Sequence, residues 1–137
     1  MKFIIILFYI TIALNVFAHP YNNHEERGVF FIAPLTGETV SNPIKITFGA
    51  KGVDIVPAGV ELPMSGHHHL LINVDKLPNL KMPIPANSNH LHFGNGQTET
   101  EINLPPGKHT LQLLLGNHLH VPHSDPIISD KIEITVR

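Results

Sequence analysis

The sequence predicts an all-β fold, an immunoglobulin-like sandwich of two sheets built from about seven antiparallel strands. Short runs of alternating apolar and polar residues recur along the chain, and this is the period of a half-buried strand. Turn-forming residues separate the runs, and the 137 residues include 12 prolines and 10 glycines. Beyond the amino-terminal segment, no stretch has the apolar spacing of an amphipathic helix. Many short strands with regular turns favour a sandwich, and a small closed barrel is the alternative.

The first 18 residues have the features of a signal peptide, so we expect an exported protein, periplasmic or secreted. Lys2 precedes the apolar run Phe3–Leu14, and Val16–Ala18 resembles a signal-peptidase site. The run is shorter than the ~20 residues that span a bilayer, so cleavage after Ala18 should leave no stable membrane anchor. Residues 19–28 are predicted to be a flexible polar leader, and residues 29–137 a single β-sandwich domain.

Five strands follow from the alternation within the domain. In chain order, the alternating runs cover residues 44–48, 69–74, 97–104, 109–115 and 131–136. On each run the apolar side chains share one face, so this face should point into the core. The predicted core residues are Ile46, Phe48, Leu70, Ile72, Ile102, Leu111, Leu113, Ile132 and Ile134.

The composition argues against several functions. The net charge is −2 with neutral histidines, and no basic stripe is present, so we expect no nucleic-acid partner. The chain has no cysteine, which excludes disulfides and a thiol nucleophile. The motifs H-E-x-x-H and G-x-S-x-G are absent, so we expect no enzyme. A cupin-like metal enzyme stays an alternative, although no glutamate directly follows His67 and His69.

Histidines are the most informative residues. The chain carries three pairs of histidines separated by one residue: His67/His69, His90/His92 and His118/His120. On a strand such a pair projects from one face, with roughly 6.6 Å between the two residues, so both rings can approach one metal ion. The apolar residues next to each pair should take the core face, which leaves the histidines on the opposite face. These apolar residues are Leu70 and Ile72, Leu91 and Phe93, and Leu119 and Val121.

The pairs predict a single metal site if their strands are neighbours. We expect His67, His69, His90, His92 and His120 to belong to it, with His118 and His123 as further members. Imidazole ligands without a thiolate favour Cu or Zn, so one of these ions is the predicted cofactor.

Two other histidines are expected to have a structural role. His68 and His109 are predicted to face the core and to bond a backbone carbonyl there. Two methionines, Met64 and Met82, could supply thioether ligands to Cu(I), although a single methionine more often fills a core.

Several sequence blocks together resemble one bacterial family. They are Pro57-Ala-Gly59, Gly66-His-His-His-Leu-Leu-Ile72, His90-Leu-His-Phe-Gly94, Leu104-Pro-Pro-Gly-Lys-His-Thr-Leu-Gln-Leu-Leu-Leu-Gly116 and His120-Val-Pro-His123. The chain resembles the exported domain-of-unknown-function 4399 family over about Val29 to Val136. The resemblance implies no particular activity. It implies that eight histidines occupy characteristic positions of the family: His67, His68, His69, His90, His92, His109, His120 and His123.

Two functions agree with these observations. The first is an exported binding protein that holds Cu or Zn through clustered histidines, for carriage or buffering. The second is a non-catalytic interaction or structural module of the cell envelope. Its histidines would be structural or pH-responsive, and its partner would be another envelope protein.

Overall fold

The computed structural model describes residues 26–137, and this part of the chain contains two β-sheets and no helix. The predicted signal peptide and residues 19–25 of the predicted leader lie outside the described residues. Within residues 26–137, no helix is long and apolar enough to cross a membrane. The strands are β1 (Gly28–Ala33), β2 (Thr39–Val40), β3 (Ile44–Lys51), β4 (Asp54–Ile55), β5 (Ser65–Ile72), β6 (His90–His92), β7 (Glu99–Ile102), β8 (Gly107–Gly116) and β9 (Ile132–Val136).

The smaller sheet has three antiparallel strands in the order β1-β3-β7. The larger sheet has six strands, in the order β2-β9-β8-β5-β4, with β6 also paired to β5. Strand β5 is therefore an interior strand, with β8 on one side and the short strands β4 and β6 on the other. This position places the three consecutive histidines of β5 in the middle of the larger sheet.

The main core lies between the two sheets. The apolar residues of each alternating run point into it, as period-two patterning requires. All nine core residues predicted from the alternation are buried, so this prediction is confirmed. His68 also faces this core, where its ring lies 5.1 Å from the ring of Phe48, centroid to centroid.

A second, smaller core covers part of the opposite face of the larger sheet. Leu71 of β5 and Leu114 of β8 pack there against Ile84, which comes from the long connection between β5 and β6. The backbone N–H of Ile84 donates a hydrogen bond of 2.9 Å to the carbonyl of His120, which joins this connection to the segment after β8. Because loops cover this face, side chains that point away from the main core are also shielded from solvent.

The structure confirms an all-β, two-sheet fold and corrects its details. Residues 26–137 form nine strands rather than about seven, and two of the pairings, β2 with β9 and β4 with β5, are parallel. The larger sheet is therefore mixed, and the purely antiparallel, immunoglobulin-like arrangement is not confirmed. Strand β1 had no alternating pattern to predict it, because its outward residues Phe30 and Ile32 are apolar although exposed.

Candidate metal centre

Strand β5 supplies the two most buried histidines of the site. Strand alternation sends His68 into the main core and sends His67 and His69 to the opposite face. Both rings are buried there, with 0% exposure for His67 and 1% for His69, and their centroids lie 4.9 Å apart. The predicted orientation of this pair, away from the main core, is confirmed, but the pair lies under loops rather than in solvent.

Strand β6 brings a third imidazole to the same place. His92 pairs with His69 in the antiparallel register, and its ring lies 5.1 Å from His69 and 4.9 Å from His67. Gly94 leaves room for this ring, because a Cβ at position 94 would collide with the His92 imidazole. Gly116 does the same for His69, since an added Cβ would lie 2.7 Å from its Cε1 atom.

The fourth imidazole, His120, comes from a turn that follows β8. The side-chain Oδ1 of Asn117 accepts hydrogen bonds from the backbone N–H groups of Leu119 and Val121, at 2.8 and 3.1 Å. His120 itself adopts a left-handed backbone with φ of 65°, which few non-glycine residues do. The turn directs its ring to 4.7 Å from His92 and 4.9 Å from His67. We call His67, His69, His92 and His120 the histidine cluster.

The donor atoms of the cluster are close enough to share one ion after a small movement. One ring nitrogen each of His67, His92 and His120 lies within 4.8 Å of the other two. Two nitrogens bound to one Zn at 2.0–2.1 Å stand about 3.3 Å apart, so any two of these nitrogens must approach by at most about 1.5 Å. Both nitrogens of His67 and Nδ1 of His69 are buried and have no hydrogen-bond partner among residues 26–137. A metal ion would give one nitrogen of each of these two rings the partner that the protein does not.

The environment favours the neutral form of His67, His69 and His92. Burial, together with the neighbouring His92, His120 and His68, lowers the pKa of His67 from 6.5 to about 4. Burial and the three other cluster rings lower the pKa of His69 to about 3. For His92 the pKa is also lowered, first by burial and then by His120. Neutral imidazole is the form that binds metal, so these rings are held in the binding form at neutral pH.

Three of the predicted site residues lie elsewhere. His90 shares the strand of His92, but the register sets it opposite Leu71, and its Nδ1 pairs with Oδ1 of Asn87 at 3.0 Å. His118 turns toward Glu61, with 3.9 Å between Nε2 and Oε1. His123 lines the same cavity as His118. The structure does not bring these three histidines into the group of rings formed by His67, His69, His92 and His120.

The separation of His118 from His120 has a simple cause. Residues 118–121 alternate like a strand in sequence but form a turn, so Leu119 is 61% exposed instead of facing the core. The two histidines of this pair therefore diverge. The left-handed backbone at His120 breaks the alternation.

Of the two histidines expected to bond a backbone carbonyl, His109 does so and His68 does not. His109 bonds the carbonyl of Pro105 through Nε2 at 2.8 Å, as predicted. His68 does not, because neither of its nitrogens has a hydrogen-bond partner in residues 26–137. Burial lowers its pKa to about 4. The two methionines considered as thioether donors, Met64 and Met82, are both exposed.

Sequence reasoning missed the residues that position the rings. Gly94 leaves space for the ring of His92, and Gly116 leaves space for the ring of His69. No sequence pattern distinguishes these two glycines from ordinary turn glycines. Asn117 could have been recognised, since asparagine side chains commonly bond the backbone two residues further on and so favour turns.

Comparison with known proteins places the chain in a family. A family model described as a domain of unknown function, DUF4399, matches residues 46–137, which include the whole histidine cluster. No curated protein and no solved structure matches the chain. The match begins later than the predicted resemblance, which started at about Val29, but it covers more than half of the 137 residues. The predicted relationship is confirmed, and the chain belongs to the DUF4399 family.

Proposed function

We propose that this protein is exported and binds a transition metal ion, Cu or Zn, through the histidine cluster. The observation that supports the proposal most strongly is the convergence of four imidazoles from three separate chain segments. Their ring centroids lie 4.7 to 6.1 Å apart. The amino-terminal residues 1–18, which have the features of a signal peptide, support export.

A purely structural role would leave the buried nitrogens of these rings unpaired, as they are in His68. A buried polar atom without a hydrogen bond costs about 1–3 kcal/mol, and His67 alone has two such nitrogens. Apolar side chains in the same positions would avoid this cost. A metal ion that accepts the lone pairs of these imidazoles, bound at the centre of the histidine cluster, would explain why histidine occupies these positions.

The donor set supports carriage or buffering rather than catalysis. Four imidazoles complete a tetrahedral shell if His69 turns a nitrogen toward the three donors that lie within 4.8 Å of one another, whereas a catalytic zinc keeps one position open for water or substrate. Imidazole nitrogen suits Cu and Zn and poorly suits Ca or Mg. We therefore propose a binding protein and no enzymatic activity.

Two measurements test this function. The first is elemental analysis of tag-free protein purified from the periplasm, for which we expect bound Cu or Zn. The second is thermal unfolding with and without each metal at about pH 7.5. A ligand at 100 times its Kd adds about 2.7 kcal/mol to the stability of the native state. Absence of a shift with both Cu(II) and Zn(II) would argue against the proposal.

One observation favours a second candidate, an interaction module that binds another envelope protein. Strand β1 is at an edge of the smaller sheet and exposes Phe30 (46%) and Ile32 (55%). Leu35, which lies just beyond this strand, is 56% exposed. Exposed apolar residues at a sheet edge commonly mark a contact site. Crosslinking in the periplasm, repeated with Phe30→Ser, tests this candidate. A crosslinked partner that is lost in the variant would support it.

A further inference from the structure

The histidine cluster brings three metal-binding atoms to one place, and none of them belongs to an acidic side chain. These atoms are one ring nitrogen each of His67, His92 and His120, all within 4.8 Å of one another. No carboxylate oxygen of residues 26–137 belongs to this group. The ring of His69 is a neighbour, but it must turn a nitrogen toward the other three before it can act as a fourth donor. Without that movement, the donors form a three-coordinate site of neutral imidazoles.

The protein around these donors supplies no compensating negative charge. Burial is the main cause that lowers the pKa of His67 and His69, and every charged group that adds to it is another histidine. The free energy lost when an ion leaves water grows with the square of its charge, so for a divalent ion it is about four times that for a monovalent ion. The exposed residue His92 gives an ion a route from solvent, but it brings no anion. A divalent ion therefore loses hydration here without gaining a counter-charge.

The rings also lack the hydrogen bonds that usually support a bound divalent ion. A histidine ligand commonly donates its second ring N–H to a carboxylate or a backbone carbonyl, which makes the ring a stronger donor to the metal. Neither nitrogen of His67 has a hydrogen-bond partner among residues 26–137, and neither does Nδ1 of His69. An ion with a lower charge depends less on this added donor strength.

We propose that the histidine cluster takes copper as Cu(I), held by His67, His92 and His120, in preference to Zn(II) and Cu(II). This inference rests on the proposed metal binding by the cluster and names the ion. Cu(I) carries a single charge and a filled d shell, and it is commonly bound by three donors, so it fits the three nitrogens that converge here. Divalent ions bind the same nitrogens more weakly. Charge and coordination number, rather than a sulfur ligand, select the ion.

The first test is equilibrium dialysis of the tag-free protein without oxygen. The buffer holds equal free concentrations of Cu(I) and Zn(II), each fixed by its own chelator, and elemental analysis gives the bound metals. We expect bound copper to exceed bound zinc at least about 10-fold, which is the lower limit of the effect of missing outer hydrogen bonds. His67→Leu should lose the copper, and His68→Leu should keep both the copper and the preference.

The outcomes of this dialysis separate the ion preference from the proposed function. Zinc bound as well as copper, or better, would overturn the preference for Cu(I) and leave metal binding by the cluster standing. Protein that holds neither metal would overturn both. Copper retained by His67→Leu would also overturn both, because the ion would then lie outside the cluster.

A matched pair of variants tests the electrostatic reason for the preference. His69→Asp places a negative charge beside the three donors, and His69→Asn has nearly the same shape without the charge. A negative charge attracts a divalent ion more strongly than a monovalent one, so the ratio of bound zinc to bound copper should be at least about 10-fold higher in His69→Asp than in His69→Asn. Equal ratios in the two variants would overturn the reasoning from charge.

The reduction potential of copper in the unchanged protein gives a readout that needs no variant. A preference for Cu(I) over Cu(II) raises this potential above that of copper free in solution, by about 59 mV for each tenfold difference between the two affinities. We therefore expect a potential at least about 59 mV above that of free copper. A potential at or below the free value would overturn the proposal, whether or not the variants at His69 fold.

Discussion

His67 and His68 are adjacent, equally buried histidines with opposite predicted roles, and they allow a matched test. Each is 0% exposed, and neither has a hydrogen-bond partner for its two ring nitrogens in residues 26–137. Burial is the main cause that lowers the pKa of each to about 4. Their side chains point to opposite faces of the larger sheet, since His67 belongs to the histidine cluster and His68 packs against Phe48 in the main core.

Leucine at either position should stabilise the metal-free protein. Each substitution removes two unpaired buried nitrogens, each of which lowers the stability of the native state by about 1–3 kcal/mol. The different shape of leucine opposes this gain by up to about 1.5 kcal/mol. The net gain should be about 2 kcal/mol, which corresponds to a rise in Tm of about 8 °C for a domain of this size. The assay is thermal unfolding of His67→Leu and His68→Leu in the presence of a chelator.

Addition of metal should then separate the two variants. Zn(II) or Cu(II) should raise the Tm of His68→Leu as it does that of the unchanged protein. His67→Leu should lose most of the shift, because one of the closest donors of the cluster is gone. If His67→Leu were less stable than the unchanged protein without metal, our account of the unpaired nitrogens would be wrong. If its metal shift were intact, the cluster would not be the binding site.

Three other predictions concern pH, packing and the excluded histidines. The three histidines of β5 have pKa values of about 4, 4 and 3 when folded, against 6.5 when unfolded, so the unfolded chain takes up protons first as the pH falls. Stability should therefore be complete above about pH 7.5 and should fall by about 2 kcal/mol per histidine as the pH is lowered to about 5. A flat urea-unfolding profile over this range would contradict the prediction. Gly116→Ala should displace His69 and weaken metal binding about 10-fold in calorimetry, whereas Gly28→Ala, which has open space around it, should not. His90→Gln should change the affinity of the cluster for metal by no more than about twofold. A larger loss would show that His90 is one of the metal ligands.

The sequence predicts most of the sheets, because most of the longer strands contain a recognisable alternating run. Each of the five alternating runs contains a strand, and the apolar face of each is buried. The exceptions are short or lack alternation. Strands β2 and β4 have two residues each, too few to show a period, and both form the parallel pairs that were not expected.

The candidate site could be predicted where strand geometry decides it. His67, His69 and His92 meet because β5 and β6 are antiparallel neighbours, with His69 opposite His92. The same register excludes His90, which lies opposite Leu71, and register cannot be derived from the alternation of one strand alone. His120 reaches the cluster for a different reason from the one predicted. Its turn depends on the side chain of Asn117, while the pattern of the segment imitates a strand.

The burial of the cluster could not be predicted from local pattern. It depends on the connection between β5 and β6, whose Ile84 packs on the outer face of the larger sheet and bonds the backbone of His120. Such a contact joins residues far apart in the chain. Periodicity reports which face of a strand is apolar, but it does not report what covers the other face.

The central claim is that the histidine cluster holds one metal ion, and X-ray absorption spectroscopy tests it most directly. The tag-free protein should be loaded with half an equivalent of Zn(II) or Cu(II), so that no excess metal binds elsewhere on the surface. We predict three or four nitrogen ligands at about 2.0–2.1 Å with the outer-shell scattering of imidazole, and loss of this pattern in His67→Leu but not in His68→Leu. A shell dominated by oxygen, or an imidazole shell that His67→Leu leaves unchanged, would contradict the claim.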